Sequence, residues 1–69
     1  MKKIETKKLT KVQVPAGEYE DVSAFQLVEF TINFFGHIES FVLDTKIMND
    51  GSQFVVGGNG FIADGYQVS

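Results

Sequence analysis

Gly58-Asn59-Gly60-Phe61-Ile62-Ala63 carries the letters G-x-G-x-x-A of a dinucleotide fingerprint. In that fingerprint the glycines let a backbone approach a pyrophosphate at the start of a helix. The chain ends at residue 69, which leaves no room for the helix, the second parallel strand or the acidic ribose ligand. The stretch therefore reads as a glycine-rich hairpin turn. His37 is the sole histidine and there is no cysteine, so zinc would need three carboxylates that no spacing brings together. As a general base His37 has only Glu39 and Ser40 nearby in sequence, whereas a triad needs a nucleophile and an orienting acid converging from different elements. Its place after Gly36 suits a structural role at an element end. Asp44, Asn49, Asp50 and Asp64 offer oxygens, yet they lack the ligand spacing and terminal bidentate glutamate of a calcium loop. Glu18, Glu20, Asp21 and Glu29 could supply paired carboxylates, but so small a domain offers little volume for a substrate cleft, typically about 300 Å³ or more. Neither catalysis nor a cofactor or metal is expected, and an enzyme is not the expected class.

Charge is the feature with functional leverage. Lys2, Lys3, Lys7, Lys8 and Lys11 stand against Glu5 in the first eleven residues, a net of +4, while the remainder sets Lys46 against eight acids, a net of −7. Such asymmetry points to an electrostatic docking surface. The lysine segment reads either as a solvated edge strand, where lysines keep molecules from pairing edge to edge, or as an arm for an acidic protein or nucleic acid. Arginine, the preferred reader of phosphates and guanine edges, is absent, and the acidic remainder would repel a long polyanion. Acids cluster only at Glu18, Glu20 and Asp21 around Tyr19. A small acidic patch meeting one basic partner fits better than mimicry of nucleic acid.

Sixty-nine residues make a single domain that buries only about 60% of its unfolded surface. Without cysteine there is no disulfide to staple it. Seven phenylalanines and two tyrosines are the bulk available for a core, and self-association is an expected source of added stability. Lys7 and Lys8 follow the charged N-terminus where a signal would need an apolar stretch, so no secretory signal is expected. Apolar runs such as Phe41-Val42-Leu43 are far shorter than the ~20 residues of a spanning helix. A cytoplasmic location is expected.

The elements follow from periodicity. Leu9–Val14 partly alternates as a strand, Val14-Pro15-Ala16-Gly17 forms a turn, and Glu18–Val22 returns. That turn recurs in unrelated β proteins and identifies no family. Ser23–Gly36 admits two readings. As a helix over about 24–35, it has Ser23 and Gln26 at capping-box spacing, Val22 and Leu27 at staple positions and Gly36 as the stop. Gln26, Glu29 and Asn33 then share a narrow polar face opposite a wide apolar arc. As a strand, Val28, Phe30, Ile32 and Phe34 alternate with Glu29, Thr31 and Asn33, with Gly36-His37 as a two-residue turn. The helix is preferred because the strand leaves Phe25 and Leu27 on its polar face. Ile38–Met48, Gln53–Val56 and Phe61–Val68 follow as strands separated by Asn49-Asp50-Gly51 and the glycine-rich turn, with Asp64-Gly65 as a further turn or a bulge.

The expected fold is β-rich α+β, an antiparallel sheet of four or five short strands carrying one amphipathic helix. An all-β small barrel or sandwich is the alternative. The expected function is a non-catalytic protein-binding module, an inhibitor or adaptor of phage or mobile-element type that occupies the basic surface of a host or partner protein through Glu18, Tyr19, Glu20 and Asp21. The alternatives are a nucleic-acid-associated domain using Lys2, Lys3, Lys7, Lys8 and Lys11, and a structural subunit of a homo-oligomer. A membrane partner is not expected.

Overall fold

The computed structural model describes residues 2–15 and 17–69. Met1 and Ala16 lie outside the described residues, and with Ala16 goes part of the expected Val14–Gly17 turn. Five strands, β1 (Lys2–Gln13), β2 (Val22–Phe34), β3 (His37–Met48), β4 (Gln53–Val55) and β5 (Gln67–Val68), pair in sequence order as an antiparallel meander. The sheet curls into a half-barrel. No helix occurs among the described residues, so the expected α+β fold with a helix over 24–35 is wrong, and the architecture is all-β.

The segment expected as a helix lies on β2, an interior strand of the sheet. Its register explains why the strand wins. Ile4, Thr6 and Lys8 of β1 stand opposite Ile32, Phe30 and Val28, and Leu43 and Phe41 of β3 stand opposite Val28 and Phe30. Both edges of β2 are thereby paired with neighbouring backbone, which a lone helix could not offer this sheet. Even-numbered Ala24, Val28, Phe30 and Ile32 are buried. The odd-numbered face is open, and the two residues that argued against a strand are tolerated there for different reasons. Phe25 is half-buried beneath Tyr19, ring centroids 5.6 Å apart in an edge-to-face contact, and Leu27 stays 43% exposed. An isolated exposed leucine costs little. The helix-end signals have other uses: the Ser23 hydroxyl donates to the carbonyls of Ile47 and Met48 at a β-bulge. Gly36, at φ 83°, is the second residue of a tight turn whose first is Phe35.

The flanking expectations also shift. Glu18–Asp21 is loop, not returning strand, and the last strand contracts to Gln67–Val68 with a turn at Asp64-Gly65. In between, the C-terminal segment crosses the inner face of the sheet and inserts Ile62 and Val68 beside Val28, Phe30, Ile32 and Val55. The side-chain oxygen Oδ1 of Asn59 accepts from the backbone N–H groups of Phe61 (2.8 Å) and Ile62 (2.9 Å), and the Asn59 N–H donates to the Ile62 carbonyl (2.7 Å). This asparagine-centred turn aims Ile62 inward. A Cβ on Gly58 would collide with the main chain of Ile62, Ala63 and Asp64. The first glycine of the G-x-G-x-x-A letters thus lets backbone approach backbone, not a phosphate. Gly58→Ala is expected to expel the turn from the inner face and lower stability by about 2 kcal/mol or more. Urea titration checks it, while Gly60→Ala, where a Cβ meets open space, should remain close to wild type.

At the end of the inner face away from the β2–β3 turn lies a polar cluster. The Thr45 hydroxyl donates to the Gln26 carbonyl (2.7 Å), and Gln53 Nε2 donates to Thr45 Oγ1 (2.9 Å) and Gln26 Oε1 (3.0 Å). Gln26 Nε2 donates to the Leu9 carbonyl (3.0 Å) at the β1 bulge. The cluster ties four consecutive segments of chain together. Among the described residues every buried side-chain nitrogen and oxygen has a partner.

Candidate functional site

The molecule is elongated, 45 × 19 × 18 Å, so its two ends are separate surfaces. The β1–β2 loop and the β3–β4 turn share one end, joined by the Asn49 N–H donating to the Asp21 carbonyl at 2.8 Å. All four residues expected to meet a partner, Glu18, Tyr19, Glu20 and Asp21, are exposed there. Asp21 holds φ at 69°, a left-handed conformation that aspartate adopts more readily than most residues. Beside the carboxylates runs an open cleft of about 390 Å³ lined by Gln13, Val14, Pro15, Tyr19, Ser23 and Asn49, among others. Tyr19 is half exposed and fixed from behind by Phe25. The end presents an anchored aromatic wall next to three clustered acids.

Asp50 adds a fourth carboxylate at that end and also organises the turn. Its Oδ1 accepts from the Ser52 hydroxyl (2.6 Å) and the Ser52 N–H (2.9 Å). Those two bonds, the hydroxyl's first, hold the carboxyl below its ordinary value of 3.8. The folded value is depressed, so the stabilisation is fully present above 3.8 and is lost as the pH falls through the folded value. The Tm difference between wild type and Asp50→Ala should therefore be constant near neutrality and close in stronger acid. A difference unchanged by acid would refute the ionic contribution.

The five lysines lie on β1, whose outer side has no described strand beside it. Alternation divides them. By register Lys2, Lys8 and Lys11 face inward with Phe34, Val28 and Gln26, whereas Lys3 and Lys7 face outward with Asn33 and Glu29. Lys3 meets Glu5 at 3.7 Å with both side chains well exposed, an ion pair of little energetic weight. The lysines are thus divided between the two faces of the sheet's outer strand.

His37 is exposed, and its Nε2 lies 3.0 Å from Glu39 Oε1. Among the described residues no three His, Asp or Glu side chains converge as a metal site.

Sequence reasoning missed the opposite end. Aromatic content suggests a core, yet Phe34, Phe35 and Phe61 are 50%, 78% and 51% exposed. Phe34 and Phe35 pack edge to face at 4.6 Å, and Phe61 stacks on Phe41 at 5.6 Å. Phe35 takes φ 52° and Gly36 φ 83°, both positive as a type I′ turn requires, and asparagine, aspartate or glycine is the usual first residue. A Phe-Phe pair directly before a glycine between two alternating runs was the available signal.

The chain matches no protein-family model, no curated protein and no solved structure.

Proposed function

We propose that this chain is a non-catalytic protein-binding module, of the inhibitor or adaptor type found in phages and mobile elements, that occupies a basic surface on a partner protein. The observation that carries this reading is the cleft walled by Tyr19 beside Glu18, Glu20 and Asp21. A lysine or arginine side chain can lay its aliphatic stem along Tyr19 and Pro15 while its cation meets the loop carboxylates. Tyrosine offers large contact area at small entropic cost, as interface anchors do.

The test is affinity capture from host lysate with wild type and with the triple variant Glu18→Lys, Glu20→Lys, Asp21→Asn. All three side chains are exposed, so circular dichroism should show the fold retained. A protein recovered at fixed stoichiometry with wild type and lost with the triple variant supports the reading. Equal recovery with both overturns it.

A second reading, nucleic-acid association, draws on the free basic edge of β1. Binding that weakens steeply with salt, with the slope flattened by Lys7→Ala and Lys8→Ala, would favour it.

A further inference from the structure

We propose that the β2–β3 hairpin end is a self-association surface, a two-fold contact in which Phe35 of each copy enters a notch on the other. The proposal is independent of the loop end and its partner.

The notch adjoins the turn on the inner face. It is about 240 Å³, with Ile32, Phe34 and Phe61 as apolar walls and Lys2, His37 and Glu39 at its rim. That volume is below the roughly 300–1,000 Å³ of small-molecule sites and suits a single inserted side chain. The knob is next to it. Phe35 projects from the turn, 78% exposed with its ring edge to face on Phe34, and it holds a backbone conformation that a bulky L-residue rarely adopts. A strained, exposed aromatic beside an apolar notch is what an isologous contact needs, because the same patch must supply both knob and hole.

A second copy fits the patch in shape and charge, because the same surface carries knob and notch and its rim carries both signs. The charged side chains at the notch rim, Lys2 and Glu39, sum to zero. Two copies meet without repulsion, and a two-fold axis lets Lys2 of each face Glu39 of the other. The same neutrality gives anionic lipid or nucleic acid no net attraction. Edge-to-edge pairing through β1 would instead oppose lysine to lysine. The three exposed aromatics offer about 350 Å² per copy, taking roughly 200 Å² for a whole ring side chain. With the rim this falls at the small, transient end of interfaces, so the dimer should be weak and concentration-dependent.

Sedimentation velocity over a wide concentration range, with wild type, Phe35→Asn and Phe61→Ala, tests the proposal. Wild type should pass from monomer to dimer, and Phe35→Asn should weaken association about tenfold or more. Asparagine suits the left-handed turn position, so at dilutions where both are monomeric Phe35→Asn should also melt roughly 4–8 °C higher. A variant that is more stable yet less dimeric separates contact from folding. Phe61→Ala should weaken the dimer by opening the notch wall, and a mixed isotope-labelled sample should show Phe35 ring protons near Phe61 across the interface. A wild-type protein monomeric at every concentration overturns the proposal. So does a dimer unaffected by Phe35→Asn, and so does binding to phosphatidylserine vesicles by a chain that never dimerises.

Discussion

Phe30→Ala is expected to leave the chain largely unfolded in buffer at room temperature. Phe30 is completely buried on the interior strand β2. Its ring stacks on Phe41 (6.0 Å) and takes Tyr66 edge-on (6.2 Å), so it joins the sheet to the C-terminal segment that covers it. Truncating a buried phenylalanine costs about 3–5 kcal/mol, and each aromatic pair lost adds about 0.5–1.5 kcal/mol beyond burial. A domain of this length has roughly 3–10 kcal/mol in total. The loss therefore matches or exceeds the lower half of that range. Urea titration followed by circular dichroism should show no cooperative transition for Phe30→Ala, whereas Phe30→Leu, which keeps most of the apolar volume, should retain one at lower urea. An alanine variant with the wild-type midpoint would mean that the inner face is not the core.

Thr45→Val should cost about 2–3 kcal/mol although it preserves shape. Thr45 has no exposed surface, and its hydroxyl is donor to the Gln26 carbonyl and acceptor from Gln53 Nε2. Valine leaves both groups short of a partner in an environment closed to water, at about 1–3 kcal/mol for a group left unsatisfied. Because Gln53 Nε2 keeps Gln26 Oε1, the penalty stays below the sum of two complete losses. At roughly 4–8 °C per kcal/mol for a domain of this size, Tm should fall by about 10–20 °C. Thr45→Ser, which keeps the hydroxyl, should lose far less. The pair Thr45→Val with Gln53→Leu should cost less than the two single changes added together, since the second removes the donor that the first stranded. Strict additivity would show that the polar cluster does not act as a unit.

Both residues stand on strands whose existence was only partly legible. Ile38–Met48 alternates and is bounded by turn residues, and it forms nearly as read, as does the turn at Asn49–Gly51. The lysine run is visible in the sequence, and its position on the sheet's outer strand matches the use of lysine to guard an edge. Thr45 and Gln53 gave no local sign of being buried together. They are eight residues apart and meet only because β3 pairs with β4.

Composition and spacing alone determined that the chain is short and cysteine-free, rich in aromatics, with a basic start and an acidic remainder. Charge and residue type are local properties and survive any fold. Tertiary structure decided the state of residues 24–35, because helix-end signals worth a kcal/mol or so compete with two full edges of pairing that appear only when β1 and β3 lie on either side. It also decided which phenylalanines are core. Phe30 and Phe34 occupy the same face of the same strand, yet Ile62 and Tyr66 cover one while the other ends beside an open notch. That difference is set by where a segment thirty residues further along crosses the sheet, which no window around either residue contains.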